Sequence, residues 1–94
     1  MDQKELIQLM EQWYDTNPTI YKANIKRLCD IQDIKPRHIV EALNITRNKA
    51  VSLCNPSHLA RIEFYDALRL AELLSVNVEM FLVNNWNYIL TVYN

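Results

Sequence analysis

The chain has 94 residues, 50% of them hydrophobic, with ten basic and eleven acidic side chains. That length holds one domain with one core of about four to six short helices and leaves little room for a catalytic pocket and its supporting shell. A net charge of −1 sets up no overall field for a polyanion, and no run of about eighteen apolar residues offers a membrane span. The opening Met1-Asp2-Gln3-Lys4-Glu5 lacks the build of a signal peptide, so a cytoplasmic protein is expected.

In chain order, the first predicted element is an amphipathic helix from Asp2 to Tyr14, within an N-terminal segment 1–15. Asp2 is placed to cap it, and Leu6, Ile7, Leu9, Met10, Trp13 and Tyr14 give one broad apolar face. Two large aromatics are heavy for a terminal appendage, so this face is expected either to fold onto the domain or to meet a second copy. Thr16-Asn17-Pro18 reads as a stop and restart, with Asn17 as N-cap and Pro18 at the first helical position, where its missing N–H costs nothing. The next helix runs to about Gln32, with Ile20, Tyr21, Ile25, Leu28 and Cys29 inside and Lys22, Lys26 and Arg27 outside.

Residues 34–53, IKPRHIVEALNITRNKAVSL, carry apolar positions at helical spacing on both sides of a break at Leu43-Asn44-Ile45-Thr46. Ending one helix and starting another within three residues needs a position with φ > 0, and after Gly, Asn tolerates it best. Thr46 then caps a second helix beginning Arg47-Asn48-Lys49, which puts long polar donors on an exposed first turn while Ala50 and Leu53 turn inward. Arg37 and His38 are expected on the exposed first turn of the helix before the break. The pattern is that of a helix-turn-helix.

Asn55-Pro56-Ser57-His58 is a loop by composition. A helix is predicted from it to Leu74, with Ile62, Phe64, Leu68, Ala71 and Leu74 inward, and a last short helix after Asn77. The tail 84–94 is readable two ways. Trp86, Tyr88, Leu90 and Val92 alternate as in a strand, whereas Val78, Leu82, Trp86, Ile89 and Tyr93 keep helical spacing; its β-branched and aromatic content favours a short C-terminal strand.

These residues resemble the Cro/repressor (Xre-type) helix-turn-helix family. Beyond the motif, residues 64–81, FYDALRLAELLSVNVEMF, are similar to that family's fourth helix and the start of its fifth, and the likeness spans roughly residues 20–82. It implies an all-α, repressor-like domain of about five to six short helices, with a core over 18–82 and a C-terminal tail. The chain departs from the family pattern at Pro36, where a Gln that touches phosphate is common, at Val40 for a small Ala, at Asn44 for Gly and at Cys54 for Glu.

Charge is unevenly distributed. From Lys22 to Lys49, seven basic residues stand against three acidic ones, a balance of +4, and the remainder carries −5. Cys29 and Cys54 have neither CxxC spacing nor a nearby His pair, so they are expected to be reduced thiols in the core, with no metal and no cofactor. No paired carboxylates, catalytic triad order or Gly-rich phosphate loop is found, and the chain contains no Gly, so an enzyme is not expected.

The resulting expectation is a sequence-specific regulator of double-stranded DNA, of bacterial or phage type, that reads an inverted repeat as a homodimer. Arg47, Asn48, Lys49 and Ser52 are assigned to base edges, and Lys35, Arg37, Thr46 and Asn55 to the DNA backbone. Trp13, Trp86, Tyr88 and Tyr93 are assigned to the dimer interface; neither a membrane nor a small-molecule ligand is expected. The competing expectation is a protein-interaction module on the same scaffold: an inhibitor, antirepressor or assembly factor. The loss of Gln at position 36, the mild charge and the aromatic tail favour it.

Overall fold

The computed structural model describes residues 2–83; the tail, with Trp86, Tyr88 and Tyr93, lies outside the described residues. Five α-helices follow one another: α1 (Gln3–Asp15), α2 (Pro18–Gln32), α3 (Pro36–Leu43), α4 (Arg47–Leu53) and α5 (Phe64–Leu73). A 3-10 turn, Val78–Leu82, comes last. The described residues contain no strand, and the fold is all-α, as the periodicity requires.

Short polar side chains start three of the helices. The Asp2 carboxylate accepts the Glu5 N–H at 2.8 Å, the Asn17 side chain accepts the Thr19 N–H at 3.0 Å, and the Thr46 hydroxyl accepts the Lys49 N–H at 3.2 Å. Each satisfies a donor that the first helical turn leaves open. In α3 the bond runs in reverse, His38 Nδ1 accepting the Lys35 N–H at 2.8 Å. Without glycine, the left-handed positions among the described residues fall to Asp33 (φ 56°), Asn44 (φ 55°) and Ser75 (φ 56°), all short polar residues. After Asp33 and Ser75 the chain closes back on its helix, Ile34 N–H to Cys29 O at 2.8 Å and Val76 N–H to Ala71 O at 3.0 Å.

Trp13 is the centre of the core. It is fully buried, stacks on Tyr21 at 4.0 Å between ring centroids, and meets Phe64 and Phe81 in tilted contacts at 6.1 and 6.3 Å. The helix predicted straight after His58 begins only at Phe64. Residues 58–63 instead form an irregular strap in which the backbone groups of Ile62 and the carbonyl of His58 are satisfied by side chains. Tyr21 Oη accepts the Ile62 N–H at 2.9 Å, Trp13 Nε1–H donates to the Ile62 carbonyl at 2.8 Å, and Tyr14 Oη accepts the Phe64 N–H at 3.1 Å. Buried backbone needs such partners, and here the aromatic side chains of α1 and α2 replace the helical ladder.

Two expectations are corrected by this packing. Trp13 was assigned to the dimer interface, but its ring is spent inside its own domain and offers no surface to a second copy. Lys22, expected outside α2, is fully buried. The broad apolar face of α1 divides as well: Leu9 and Trp13 go inward, while Leu6, Ile7, Met10 and Tyr14 remain 37–44% exposed. Ile20, on the inner stripe of α2, is half-buried, and Leu68 packs half-buried against the core as its inward place on α5 requires. At the far end, Asn24 Nδ2 donates to the carbonyls of Phe81 and Val83, both at 2.6 Å, and so ties the 3-10 turn to α2.

Candidate nucleic-acid interface

Helices α3 and α4 pack against each other, with Ile39, Leu43, Ala50 and Leu53 buried and Val40 half-buried between them. The reversal occurs at Asn44 in the left-handed conformation and is followed at once by the Thr46 cap. The α4 backbone is thereby fixed before any partner arrives, and its first turn presents Arg47, Asn48 and the half-exposed side chain of Lys49 to solvent.

The other two residues assigned to base edges are engaged within the molecule. Lys49 Nζ lies 3.0 Å from the carboxylate of Asp66, a nearly buried side chain in the first turn of α5, so this pair bridges the two helices. Ser52 is half-buried and sits in a short relay. Lys22 Nζ approaches the Ser52 hydroxyl at 3.4 Å, and Ser52 Oγ lies 2.7 Å from His58 Nδ1. Because an ammonium only donates, Ser52 accepts from Lys22, and its hydroxyl links that buried cation to the His58 ring. Lys22 also donates to the His58 carbonyl at 2.6 Å. Burial pushes the Lys22 ammonium below the ordinary lysine range.

Of the residues assigned to phosphates, Arg37 and Thr46 are exposed, although the Thr46 hydroxyl is occupied as the α4 cap. Lys35 is exposed and 3.1 Å from Asp33, whose carboxyl it holds below the usual carboxylate range; a pair this exposed contributes little and exchanges easily for another anion. Asn55 is exposed, and its side chain accepts the Ser57 N–H at 3.0 Å to shape the loop after α4. The positive stretch is therefore partly neutralised in place by Lys26–Asp30, Lys35–Asp33 and Lys49–Asp66. Beside α4, a cleft of about 640 Å³ runs toward the strap, lined by Asn48, Val51, Ser52, Asn55, Ala60 and Ile62 among others. Among the described residues no group of three or more His, Cys, Asp or Glu side chains could hold a metal.

Lys22 is the residue that sequence reasoning misplaced at this site, and a signal was present. It stands three positions before Ile25 and seven before Cys29, on the buried stripe of α2, and only its charge argued for solvent. No protein-family model, no curated protein and no solved structure matches this chain.

Proposed function

We propose that the chain is a sequence-reading regulator of double-stranded DNA that acts as a homodimer, with α4 entering the major groove. The observation that carries this reading is the α4 start: a capped helix, held by a left-handed Asn44, that directs Arg47 and Asn48 outward from a rigid base. Arg suits the O6 and N7 acceptors of guanine, and Asn suits adenine. Arg37 and Lys35, at the start of α3, and Asn55, after α4, flank that turn and suit phosphates. Lys49 and Ser52 support this geometry by bracing α4, and base contact falls mainly to the two residues before them. A second copy would present a second α4 about 34 Å away, which an inverted repeat would match.

A protein-interaction reading on the same scaffold is favoured by one feature, the three ion pairs that neutralise much of the local positive charge. Selection of bound sequences from a random duplex pool separates the two. An enriched inverted repeat supports DNA reading, and an unenriched pool with a flat salt dependence overturns it. On the selected site, Arg47→Ala is expected to cost about 1–3 kcal/mol and to relax preference at one base position, with thermal stability unchanged. Removal of residues 86–94 tests the dimer: a truncated chain that sediments and binds like the full one would exclude Trp86, Tyr88 and Tyr93 from the contact.

A further inference from the structure

Three ion pairs hold lysines among the described residues, and one of them differs in kind. In Lys26–Asp30 the side chains are 54% and 63% exposed, and in Lys35–Asp33 they are 58% and 85% exposed. In Lys49–Asp66 the lysine is 50% exposed but the carboxylate only 10%. Water screens the first two pairs and can solvate either partner, so a DNA phosphate takes the ammonium at little cost. Asp66 has no such recourse. Were Lys49 to leave, a nearly buried carboxylate would lose its cation, which costs far more than parting two exposed charges.

Both partners of this pair are held in place. Asp66 stands in the first turn of α5, whose Phe64, Ala67, Leu70 and Ala71 are buried, so the carboxylate cannot follow the ammonium outward. Lys49 shares the first turn of α4 with Arg47 and Asn48, and its backbone N–H is fixed by the Thr46 cap. Arg47 is exposed and in no ion pair among the described residues. That turn therefore carries one cation directed outward and one tethered to α5.

We propose that Asp66 withholds Lys49 from DNA phosphates and thereby limits the chain's hold on duplex DNA of any sequence. Asp66 acts through Lys49, so it is a positioning residue of the DNA-reading surface proposed above, on which this inference rests. Each lysine that neutralises a phosphate adds about one unit to the slope of log affinity against log salt. With Asp66 in place Lys49 adds none, whereas Lys26 and Lys35 exchange their exposed partners for phosphates. Removing the charge of Asp66 turns Lys49 toward the duplex. Removing both charges restores the balance without either partner.

The test follows binding of the full chain to a labelled duplex of mixed sequence by fluorescence anisotropy, from about 50 to 200 mM salt. Asp66→Asn is expected to steepen the slope by about one unit, so that affinity falls about three- to fourfold further over that range than in the unaltered chain. The double variant Lys49→Gln/Asp66→Asn is expected to return to the unaltered slope. Glu41→Gln removes an exposed charge of α3 that lies in no ion pair among the described residues, and so separates release of Lys49 from a plain change of net charge. Its slope is expected to stay that of the unaltered chain. Three results overturn the proposal and leave DNA reading intact: Asp66→Asn with an unaltered slope, Glu41→Gln with the same steepening as Asp66→Asn, or a double variant shallower by about one unit, which would put Lys49 on a phosphate in the unaltered chain. Should Asp66→Asn fail to fold by circular dichroism, Lys49→Gln alone decides by that last comparison. A flat slope in the unaltered chain overturns the DNA reading and this inference together.

Discussion

The strap over residues 58–63 is held at its two ends by consecutive residues of α2 that do so by opposite physics. At Ile62 the partners are Tyr21 and Trp13, neutral groups that bring large apolar surfaces with their hydrogen bonds. At His58 the partner is the buried ammonium of Lys22, which brings a charge that must be desolvated. The first arrangement adds hydrophobic burial to polar satisfaction; the second sets one against the other, since a buried cation costs several kcal/mol before its bonds offset it. One end of the strap is therefore a stable anchor, and the other, the end beside α4, is close to energetic balance.

The largest effect is expected at the aromatic end. Trp13→Ala removes the stacked centre of the core and the Ile62 carbonyl's donor, so unfolding stability is expected to fall by about 3–5 kcal/mol in a denaturant titration. A loss below about 1 kcal/mol would mean that α1 contributes little to the fold. Tyr21→Phe keeps the stack and deletes only the acceptor for the buried Ile62 N–H; the expected loss is about 1–3 kcal/mol. At the charged end, Lys22→Met should change stability at pH 7 by only about 1 kcal/mol, because removal of the desolvated charge offsets the carbonyl left unpaired.

A pH profile separates the two ends further. Lys22 has its folded-state pKa lowered, so between that value and the unfolded lysine value of about 10.4 the unfolded chain binds more protons and stability rises with pH. Tyr21 has its folded-state pKa raised by burial, so above about pH 10 the folded chain holds the extra proton and stability falls. Lys22→Met is expected to lessen the rise and leave the fall, and Tyr21→Phe to lessen the fall and leave the rise. An unchanged rise in Lys22→Met would assign it to another group.

The parts legible in sequence were those governed by local rules. The caps Asp2, Asn17 and Thr46, Pro18 at a first helical position and the left-handed Asn44 each depend on a few neighbouring residues, and the structure places each where the spacing does. Arg47 and Asn48 were legible for the same reason, being on the first turn of a helix whose start was fixed. Trp13, Lys22, Lys49 and Ser52 were not, because their positions depend on partners 17 to 49 residues away: the Ile62 carbonyl, the His58 carbonyl, Asp66 and Lys22. Periodicity says that a stripe is buried but not against what. The strap escaped prediction because the backbone of Ile62 and the carbonyl of His58 bond to distant side chains, which leave no periodic trace.

The grip of Arg61 on α1 has a consequence for the order in which the chain folds. Its guanidinium donates to the carbonyls of Tyr14 and Thr16, at 2.9 and 3.1 Å, and so supplies the positive charge that the last turn of α1 lacks in its own sequence. All of these bonds span 45 or more residues, whereas α3 and α4 find each other across a three-residue turn. Closing the long loop costs entropy that the short one does not, so α1 has no seat until the strap is laid and is expected to dock after the transition state. Damage at Trp13 should therefore appear chiefly as faster unfolding, with the refolding rate nearly unchanged in a stopped-flow chevron.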